Sequence, residues 1–551
     1  MHSRGLFILL LCISLGWLSS CIQEGILEVT LDLELQETTL NPLTHPSLSS
    51  FTLTVSTENY TDKATEYYYS GRRRLDFGKI AVGMYRRIGL TASSFFGATL
   101  AYGEVFGNFK IDAKNSTHVE IPLRYPFVYA SGGYGLPPLH PELDSSMALF
   151  MNIPVGVSPE TTSAVAVSPD GTLLVTTTDD HQGNMKLWVL LTRNHKKLID
   201  TSISRPDSVD SIAFSPDGKM LSLLSFSGGW VAFLNIDSLL AGNSDIVFID
   251  IDQPLRGVFV DNQNFVILQS VPYNFARCDS THTSQLVWLI VNRSPMEAQL
   301  VRSIPLNDYA SSVAVDISTR RVYASLTCRP EIVVMEAGAV QTVSLLSELN
   351  LSPCLRPVQL AVGQSDLLVA CATSSDTTSA QWAPAKILVQ RYTLRPQLNP
   401  NSRSLVMDYP WEPFVLNKDN NSNNEAALVL QLAPTRLLPR AIGLTAAASR
   451  MMLVVEAYHY TKPFQVELNP TSSIYINETS VKSHSVVFVD ARVAQMGRRI
   501  RTACFPVKAP DDNTMPAGLA PDKHCSLNAG MFDVTPVSFI PTQVAIMFAA
   551  P

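Results

Sequence analysis

Hydrophobic and polar positions alternate along most of the chain and predict β-strands nearly throughout. Residues 27–35 read LEVTLDLEL, in which every second residue is Leu or Val and the residues between them are polar. This two-residue period is typical of a strand with one face in water. Phe51, Leu53 and Val55 repeat it, and further short segments follow with Gly and Asn between them. The pattern predicts a β-sandwich over residues 27–128.

A longer repeat follows. AVAVSPDGTLLVTTT at 164–178 is echoed by SIAFSPDGKMLSLLS at 211–225. A repeat of roughly 40–50 residues with four strands in each unit predicts a β-propeller. The fold class is therefore all-β, with a propeller over residues 147–551 of seven blades, although six or eight stay possible. Equivalent strand positions recur at Val167, Phe214, Val260, Val315, Val362, Leu444 and Phe539.

Each blade is expected to be a meander of strands A to D, numbered from the inside. The phrase SIAFSP is strand A of the second blade, and Asp217-Gly218 turns the chain into strand B. The repeated phrase is thus predicted to be scaffold. Residues 129–146 are rich in Gly and Pro and predict a linker. Residues 148–156 are expected to donate an outer strand to the last blade, whose inner strands come from residues 537–551.

The meander places the A–B and C–D turns of a blade on one face, here called the turn face. The B–C and D–A connections share the opposite, long-loop face. The long insertions are expected there, at 272–283, 374–385, 409–438 and 460–483. Long loops on a rigid scaffold often carry binding residues, so this is the predicted working face. The alternative is that the loops vary freely and bind nothing.

The first residues have the pattern of an export signal. Arg4 precedes an apolar run over 5–17, which is shorter than the ~20 residues needed to cross a bilayer. Leu18-Ser19-Ser20-Cys21 resembles the lipobox of bacterial lipoproteins. The resemblance implies a signal peptide at 1–20, acylation of Cys21, a tether at 21–26 and, with Ile22 next, an outer-membrane location. The alternative is an ordinary signal peptide with a chance cysteine.

Two further resemblances concern the folded regions. Ile80-Ala81-Val82-Gly83-Met84-Tyr85 is similar to the G-x-Y hairpin of transthyretin-like and carboxypeptidase-regulatory-like domains. That resemblance implies an immunoglobulin- or transthyretin-like sandwich with a turn at Gly83, a strand beginning at Tyr85, and a spacer or adhesion role. The SPDG repeats resemble the YVTN/YncE-like and TolB-like propellers of bacterial envelopes. The later blades lack SPDG, and the WD dipeptide is absent at Trp188-Val189.

Six of the eight cysteines remain once Cys12 falls in the predicted signal peptide and Cys21 is acylated. An even number in an exported chain favours disulfides, with buried free thiols as the alternative. All six map to the long-loop face. The expected pairs are Cys278–Cys328, Cys354–Cys371 and Cys504–Cys525.

Charge and motifs exclude several classes of function. The 41 basic residues are outnumbered by 48 acidic ones, and Arg72-Arg73-Arg74 is the longest basic run, so nucleic-acid binding is not expected. GxSxG, HExxH and GxxxxGK[ST] are absent from the sequence. Residues 417–423 alternate like a calcium loop, but Leu428 stands where the loop needs Glu. No metal or other cofactor is expected.

The candidate binding residues are polar and aromatic side chains in or near the long loops. The aromatic ones could anchor a protein or glycan, or could pack each loop against its own blade. The acidic and His residues could instead form a metal or acid–base site. The candidates are Asp179, Asp180, His181, Tyr273, Phe275, His282, Trp382, Trp411, His459 and Tyr460.

Together these patterns predict a lipid-anchored envelope protein that binds an envelope protein or surface glycan through the long-loop face. Its only membrane contact would be the lipid anchor. The competing hypothesis is a propeller hydrolase or lactonase with an Asp/His site near the central axis. A third is a purely structural envelope lipoprotein.

Overall fold

The computed structural model describes most of the chain up to residue 373 and mainly strands and their register beyond it. Contacts divide the chain into two compact units, Met1–Tyr125 and Pro126–Pro551, which are treated separately below. The described residues are 24–32, 41–57, 61–69, 74–95, 97, 99–131, 135–136, 138–139, 153–156, 160–180, 183–205, 207–243, 245–271, 283–336, 339–344, 354, 356–363, 366–373, 386–393, 414–417, 436–444, 450–460, 464–469, 472–476, 480–490, 499–505, 532–534 and 543–546.

The first unit contains two sheets, ordered β4-β1-β7 and β3-β2-β5-β6 in the strands named at the end of this paragraph. Leu27 and Val29 of the first sheet and Phe51, Leu53 and Val55 of the second are fully buried, as the two-residue period predicts. The predicted strands are confirmed, and the immunoglobulin- or transthyretin-like class stays a prediction. The strands are β1 (Glu24–Asp32), β2 (Leu48–Ser56), β3 (Thr61–Tyr67), β4 (Arg74–Ala81), β5 (Gly83–Ser94), β6 (Thr99–Ile111) and β7 (Thr117–Pro122), with a 3₁₀ turn at Pro42–Thr44.

The G-x-Y segment differs from its expectation by two residues. Only Val82 separates β4 from β5, and β5 begins at Gly83 rather than at Tyr85. Tyr85 is almost fully buried, and its hydroxyl donates a 2.7 Å hydrogen bond to the carbonyl of Ala81. This bond ties the strand back to the end of β4. It thus supplies the anchoring contact that a buried tyrosine hydroxyl requires.

The second unit is a β-propeller, built mainly from four-stranded antiparallel sheets in which sequence order equals spatial order. Blades 1 to 4 have the predicted A to D strands. Blade 1 is β10 (Thr161–Val167), β11 (Leu173–Asp179), β12 (Met185–Leu191) and β13 (Lys197–Ile203); blade 2 is β14 (Ser211–Phe214), β15 (Met220–Ser225), β16 (Trp230–Asn235) and β17 (Ile246–Asp250); blade 3 is β18 (Pro254–Phe259), β19 (Asn264–Gln269), β20 (Gln285–Arg293) and β21 (Met296–Pro305); blade 4 is β22 (Ala310–Asp316), β23 (Arg321–Leu326), β24 (Glu331–Glu336) and β25 (Ala339–Ser344).

Two more blades and a closing sheet complete the described part of this unit. Blade 5 is β26 (Arg356–Val362), β27 (Asp366–Thr373), β28 (Lys386–Thr393) and β29 (Phe414–Asn417). Blade 6 is β30 (Arg436–Leu444), β31 (Arg450–Tyr460), β34 (Ser480–Asp490), β35 (Arg499–Phe505) and β36 (Phe532–Val534), with the hairpin β32 (Phe464–Asn469) and β33 (Ser472–Ile476) between its second and third strands. The closing sheet joins β37 (Gln543–Ile546) to β8 (Val128–Ser131) and β9 (Pro138–Leu139).

The innermost strands form a closed series of contacts among the described residues. It runs through β10, β14, β18, β22, β26, β30 and β37, and β37 returns to β10. Neighbouring blades bury their facing side chains, as where Phe233 of blade 2 meets Phe259 and Phe265 of blade 3. Hydroxyl groups also bridge blades, since Ser311 donates to the carbonyl of Val358 at 2.7 Å. This packing gives a rigid ring from which the connections project.

Closure uses both ends of the unit, as expected, but different residues. The predicted linker 129–146 includes β9 and most of β8, and Tyr129 is fully buried. Of the outer strand expected at 148–156, the described residue Ile153 forms a single β-bridge with Leu136. Phe539 lies outside the described residues, and the inner closing strand is β37. The Gly and Pro residues of 129–146 predicted a linker. Part of this segment instead forms β8, because β8 pairs with β37, which lies far away in the sequence.

Two connections also contain elements that the pattern did not predict. The C–D connection of blade 2 begins with helix α1 (Ile236–Leu240), whose Asn235 side chain accepts from the amide of Asp237 at 2.9 Å. Such N-capping by Asn is a common helix start. The expected loop at 460–483 is largely strand, because β31 and β34 are long and the hairpin β32–β33 lies between them.

Candidate functional site: the two faces of the propeller unit

The turn face repeats one Asp-centred structure. In blade 1, Ser168 Oγ donates to Asp170 Oδ1 at 2.5 Å, and the same oxygen accepts from the amide of Thr172 at 3.1 Å. Gly171 has a φ of 70°, a conformation that residues with a side chain rarely adopt. The Asp side chain is therefore occupied in closing its own turn.

Blade 2 repeats this geometry almost atom for atom. Ser215 Oγ donates to Asp217 Oδ1 at 2.6 Å, the amide of Lys219 donates to the same oxygen at 3.1 Å, and Gly218 has a φ of 70°. Blades 3 and 4 lack SPDG. Their acceptors Asp261 and Asp316 directly follow the reference positions Val260 and Val315, where blades 1 and 2 have Ser, and they accept from amides two residues further on. The shared geometry agrees with the interpretation of SPDG as scaffold.

The turns of neighbouring blades are also joined. Asn262 Oδ1 accepts from the amide of Asp217 at 3.0 Å, and Arg293 Nη1 lies 3.3 Å from Asp217 Oδ2. Arg320 Nη1 lies 3.8 Å from Asp261 Oδ2. Burial alone would raise the pKa of Asp217, but hydrogen bonds from Ser215 and Lys219 and the charge of Arg293 outweigh burial and lower it. The carboxylate of Asp217 is thus held ionised by structural contacts.

On the long-loop face, the residue just before strand A is tied to the end of strand B. In blade 1, Glu160 Oε2 accepts from Thr178 Oγ1 at 2.9 Å, and Glu160 Oε1 lies 2.7 Å from Lys186 Nζ. Trp188 Nε1 donates to Thr178 Oγ1 at 2.9 Å. The hydrogen bond that Lys186 donates to Glu160 raises the pKa of Lys186. We call each such A-to-B contact a latch.

The chemistry of the latch changes from blade to blade. Asp210 Oδ2 accepts from the amide of Phe226 at 2.7 Å in blade 2. In blade 4, Asp308 Oδ2 lies 2.6 Å from Arg329 Nε. Blade 5 has a covalent latch, the disulfide Cys354–Cys371, whose two residues are fully buried with Cα atoms 5.4 Å apart. The predicted pairing of these two cysteines is confirmed.

The remaining cysteine predictions are only partly within the described residues. Cys328, beside Arg329 in the B–C turn of blade 4, is disulfide-bonded. Its expected partner Cys278 lies outside the described residues, so that pairing stays a prediction. Cys504 lies in β35, as expected for a D strand, and Cys525 lies outside the described residues.

Asp179 and Asp180 are the described members of the predicted binding set with side-chain detail. Asp180 Oδ1 accepts from the amide of Asn184 at 3.0 Å and Asp180 Oδ2 from its side-chain amide at 2.6 Å. Asp179 ends β11 and pairs with Met185. Asp180 therefore shapes its own B–C loop.

The other predicted binding residues have no described side chains. His459 and Tyr460 occupy the last two positions of β31, and Tyr460 is paired with Ser480 of β34. Asn417 ends β29, and the rest of the calcium-like segment lies outside the described residues. Also outside them are Cys21, His181, Tyr273, Phe275, His282, Trp382 and Trp411.

Within the described ranges, no group of three or more His, Cys, Asp or Glu side chains is arranged to hold a metal ion. A search of those residues also found no helix with the length and apolarity needed to cross a membrane.

One described pair was missed by the sequence interpretation. His195, in the C–D turn of blade 1, has a φ of 56°, and its Nε2 lies 2.9 Å from the hydroxyl of Tyr129 in β8. Burial lowers the pKa of His195 to about 4, so the ring is neutral at physiological pH. The pair joins blade 1 to the closing sheet. No local pattern links residues so far apart in sequence.

Comparison with known proteins gives a fold likeness and no family. No protein-family model matches the chain, and no curated protein matches it. Among solved structures, the Cps50 (Swd1) β-propeller domain of Myceliophteria thermophila is 9% identical, covering 60% of this chain and 93% of that one with a TM-score of 0.37. The Neurospora crassa Pan2 WD40 domain is 10% identical, covering 60% and 86% with a TM-score of 0.34.

A functionally unknown protein from Desulfotomaculum acetoxidans is 14% identical, covering 62% of this chain and 92% of that one with a TM-score of 0.30. Values this low carry no argument about function. The propeller fold rests on the strand order and the closed series of inner-strand contacts described above.

Proposed function

We propose that this chain is a lipid-anchored protein of the bacterial outer membrane whose seven-bladed propeller is a binding scaffold. It engages an envelope protein or a surface glycan through the long-loop face. The scaffold role is non-enzymatic, and the lipid on Cys21 is the only membrane contact. The first unit acts as a spacer between the lipid and the propeller.

The contrast between the two faces is the observation that carries the proposal. Turn-face carboxylates such as Asp217 and Asp261 are occupied by turn amides and by arginines of neighbouring blades. The connections that follow β19, β27 and β31 are long and join strands B and C at the opposite face, and the last of them contains β32–β33. Another long connection, between β28 and β29, joins strands C and D at the turn face. A face fixed by repeated internal contacts offers little to a ligand, whereas variable connections on a rigid ring can diverge to fit one.

The proposed location rests on the export signal and on Leu18-Ser19-Ser20-Cys21. We expect cells fed radiolabelled palmitate to label the wild-type protein and to leave the Cys21→Ser variant unlabelled. Separation of inner and outer membranes then tests the location. A chain that carries no palmitate, or that fractionates with the inner membrane, overturns this part of the proposal.

The binding role is tested by capture from detergent-solubilised envelopes and on purified envelope glycans, with the chain from residue 22 as bait. Because Tyr460 pairs with Ser480, residues 461–479 can be replaced by an Asn-Gly turn that joins β31 directly to β34. We expect this variant to lose a partner that the parent captures. The matched control, Ile317→Ser with Arg320→Ser, changes exposed residues of the turn face instead.

Capture lost with the shortened hairpin and kept by the control supports the long-loop face. Equal capture by all three proteins, or capture lost with the control, contradicts it. No observation on the described residues favours the hydrolase or lactonase hypothesis. Turnover of ester or lactone substrates by the purified chain would replace the scaffold proposal with that hypothesis.

A further inference from the structure

A separate surface of the first unit carries a concentration of exposed aromatic rings. Among the described residues, the aromatic side chains that are mainly exposed are Tyr67, Tyr69 and Phe95, at 69%, 66% and 72%. All three lie in or just after strands of the β3-β2-β5-β6 sheet. Exposed aromatic rings cost free energy in water, so three together indicate a surface with a partner.

The strand register brings the three rings to one end of that sheet. Ser50 of β2 pairs with Tyr67 on one side and with Ser93 on the other. The amide of Phe95 donates to the carbonyl of Ser47 at 3.0 Å, which continues the pairing one step further. Tyr67 and Phe95 therefore lie on opposite sides of β2, about 9.6 Å apart across the sheet and offset along it by the three residues from Ser47 to Ser50.

The exposure follows the alternation of the strands rather than a frayed edge. Tyr68, between the two exposed tyrosines, turns inward, and its ring packs edge-on against Phe51 at 5.5 Å. Ser94, just before Phe95, is buried. The three rings thus belong to the outer side of a well-ordered sheet, opposite the buried side of Phe51 and Leu53.

The surface between the rings is polar and uncharged. Thr52 and Thr65 are paired across β2 and β3, and their hydroxyl oxygens lie 3.2 Å apart. Ser50, Thr91 and Ser93 continue the row of hydroxyl-bearing positions. Lys63 lies further along β3, and Arg87 forms an ion pair with Glu104.

We infer that this surface, defined by Tyr67, Tyr69 and Phe95 with the hydroxyls between them, binds a neutral glycan with an extended β-linked chain. Aromatic faces stack on the C–H face of a sugar ring, and Ser and Thr hydroxyls both donate to and accept from sugar hydroxyls. A nucleic acid or acidic lipid would require cations, and the described positions between the rings carry none.

This inference concerns the first unit and goes beyond the proposed propeller function. The test is sedimentation of the soluble chain from residue 22 with three insoluble probes: cellulose, chitin and purified peptidoglycan. We expect depletion from the supernatant by at least one probe. Replacing Tyr67 and Phe95 with Ala should weaken that binding about tenfold, which is the loss expected for two stacking contacts.

Two further variants make the result specific. Tyr67→Phe keeps the ring and should bind as the parent does. Leu300→Ala with Val301→Ala removes exposed apolar groups from β21 of the other unit and should change nothing. Circular dichroism and thermal melting establish that every variant is folded.

The inference is overturned if the folded parent binds none of the three probes. Equal binding by the Tyr67→Ala, Phe95→Ala variant also overturns it. Loss of a captured protein from this variant, with no glycan binding, would assign the surface to a protein partner instead. None of these outcomes involves residues 461–479, so the propeller proposal is judged by its own experiment.

Discussion

The two faces of the propeller unit stabilise the ends of their strands in different ways. On the turn face, Asp170, Asp217, Asp261 and Asp316 accept hydrogen bonds from the amides of their own turns, in blade after blade. On the long-loop face the latch occupies a repeated position, but its chemistry is a carboxylate in blade 1 and a disulfide in blade 5. The turn face repeats an Asp acceptor, whereas the long-loop face repeats only the position of the contact between strands A and B.

The difference indicates where sequence change is tolerated. A turn that needs a positive φ and an Asp acceptor leaves few alternatives, so blades 1 and 2 share almost the same phrase. A latch requires only that two chain segments be held together, which an ion pair, a hydrogen bond or a disulfide can do. The long-loop face is therefore freer to diverge toward a ligand.

The largest expected effect comes from breaking the covalent latch. Replacing Cys354 and Cys371 together with Ala should lower the free energy of unfolding by about 3 kcal/mol, because the disulfide closes a short loop in the unfolded chain. Urea denaturation measures the change. Dithiothreitol should destabilise the wild type more than this variant, and an equal loss in both would mean that this disulfide adds nothing.

A pH-dependent effect is expected at the turn face. The pKa of His195 is lowered to about 4 in the folded chain, against an ordinary value near 6.5 when unfolded. The unfolded state therefore binds the extra proton, and stability is lost as the pH falls from about 6.5 toward 4. At pH 5 the loss should be about 2 kcal/mol relative to neutral pH.

His195→Asn isolates the contribution of His195 to this loss of stability, because Asn tolerates the positive φ at that position and does not titrate. The stability of the wild type relative to this variant, from urea denaturation, should fall between pH 7 and pH 5. A difference that stays constant with pH would show that His195 is not the titrating group.

A smaller loss is expected from the repeated turn. Asp217→Asn weakens the acceptor for Ser215 and Lys219 and removes the charge opposite Arg293. We expect the free energy of unfolding to fall by about 1 kcal/mol at neutral pH, which is typical of such hydrogen bonds. The wild-type advantage should shrink in acid, since the folded pKa of Asp217 is lowered.

The smallest effect is expected at the exposed latch of blade 2. Asp210→Asn keeps an oxygen that can accept from the amide of Phe226, so stability should change by less than about 0.5 kcal/mol. The comparison with Asp217→Asn uses the same substitution on opposite faces. Equal losses in the two variants would remove the proposed difference between the faces.

Local pattern was sufficient to predict most of the propeller strands. The reference positions Val167, Phe214, Val315, Val362 and Leu444 all lie in innermost strands, and Val260 directly follows one. These strands bury alternate residues against neighbouring blades, so a short window of sequence is sufficient to predict which residues are buried. The SPDG turn was predictable for the same reason, because its donors and acceptor lie within six residues.

The missed features depend on contacts that no short window contains. The closing sheet pairs Val128–Ser131 with Gln543–Ile546, and the Gly and Pro around it suggested a linker instead. The Tyr129–His195 pair and the role of Asp180 in its own loop likewise depend on the folded backbone. The exposed rings of Tyr67 and Phe95 were not singled out, because their proximity depends on the register of three strands.

Closure of the ring depends on the order in which the inner strands are synthesised. Because β37 and β8 lie in one sheet, the inner strand of the closing sheet is synthesised after all the other inner strands. Until it arrives, β10 and β30 lack the neighbour that β37 provides and can pair with other chains instead. A nascent chain stopped before residue 543 is therefore an aggregation hazard rather than a smaller propeller.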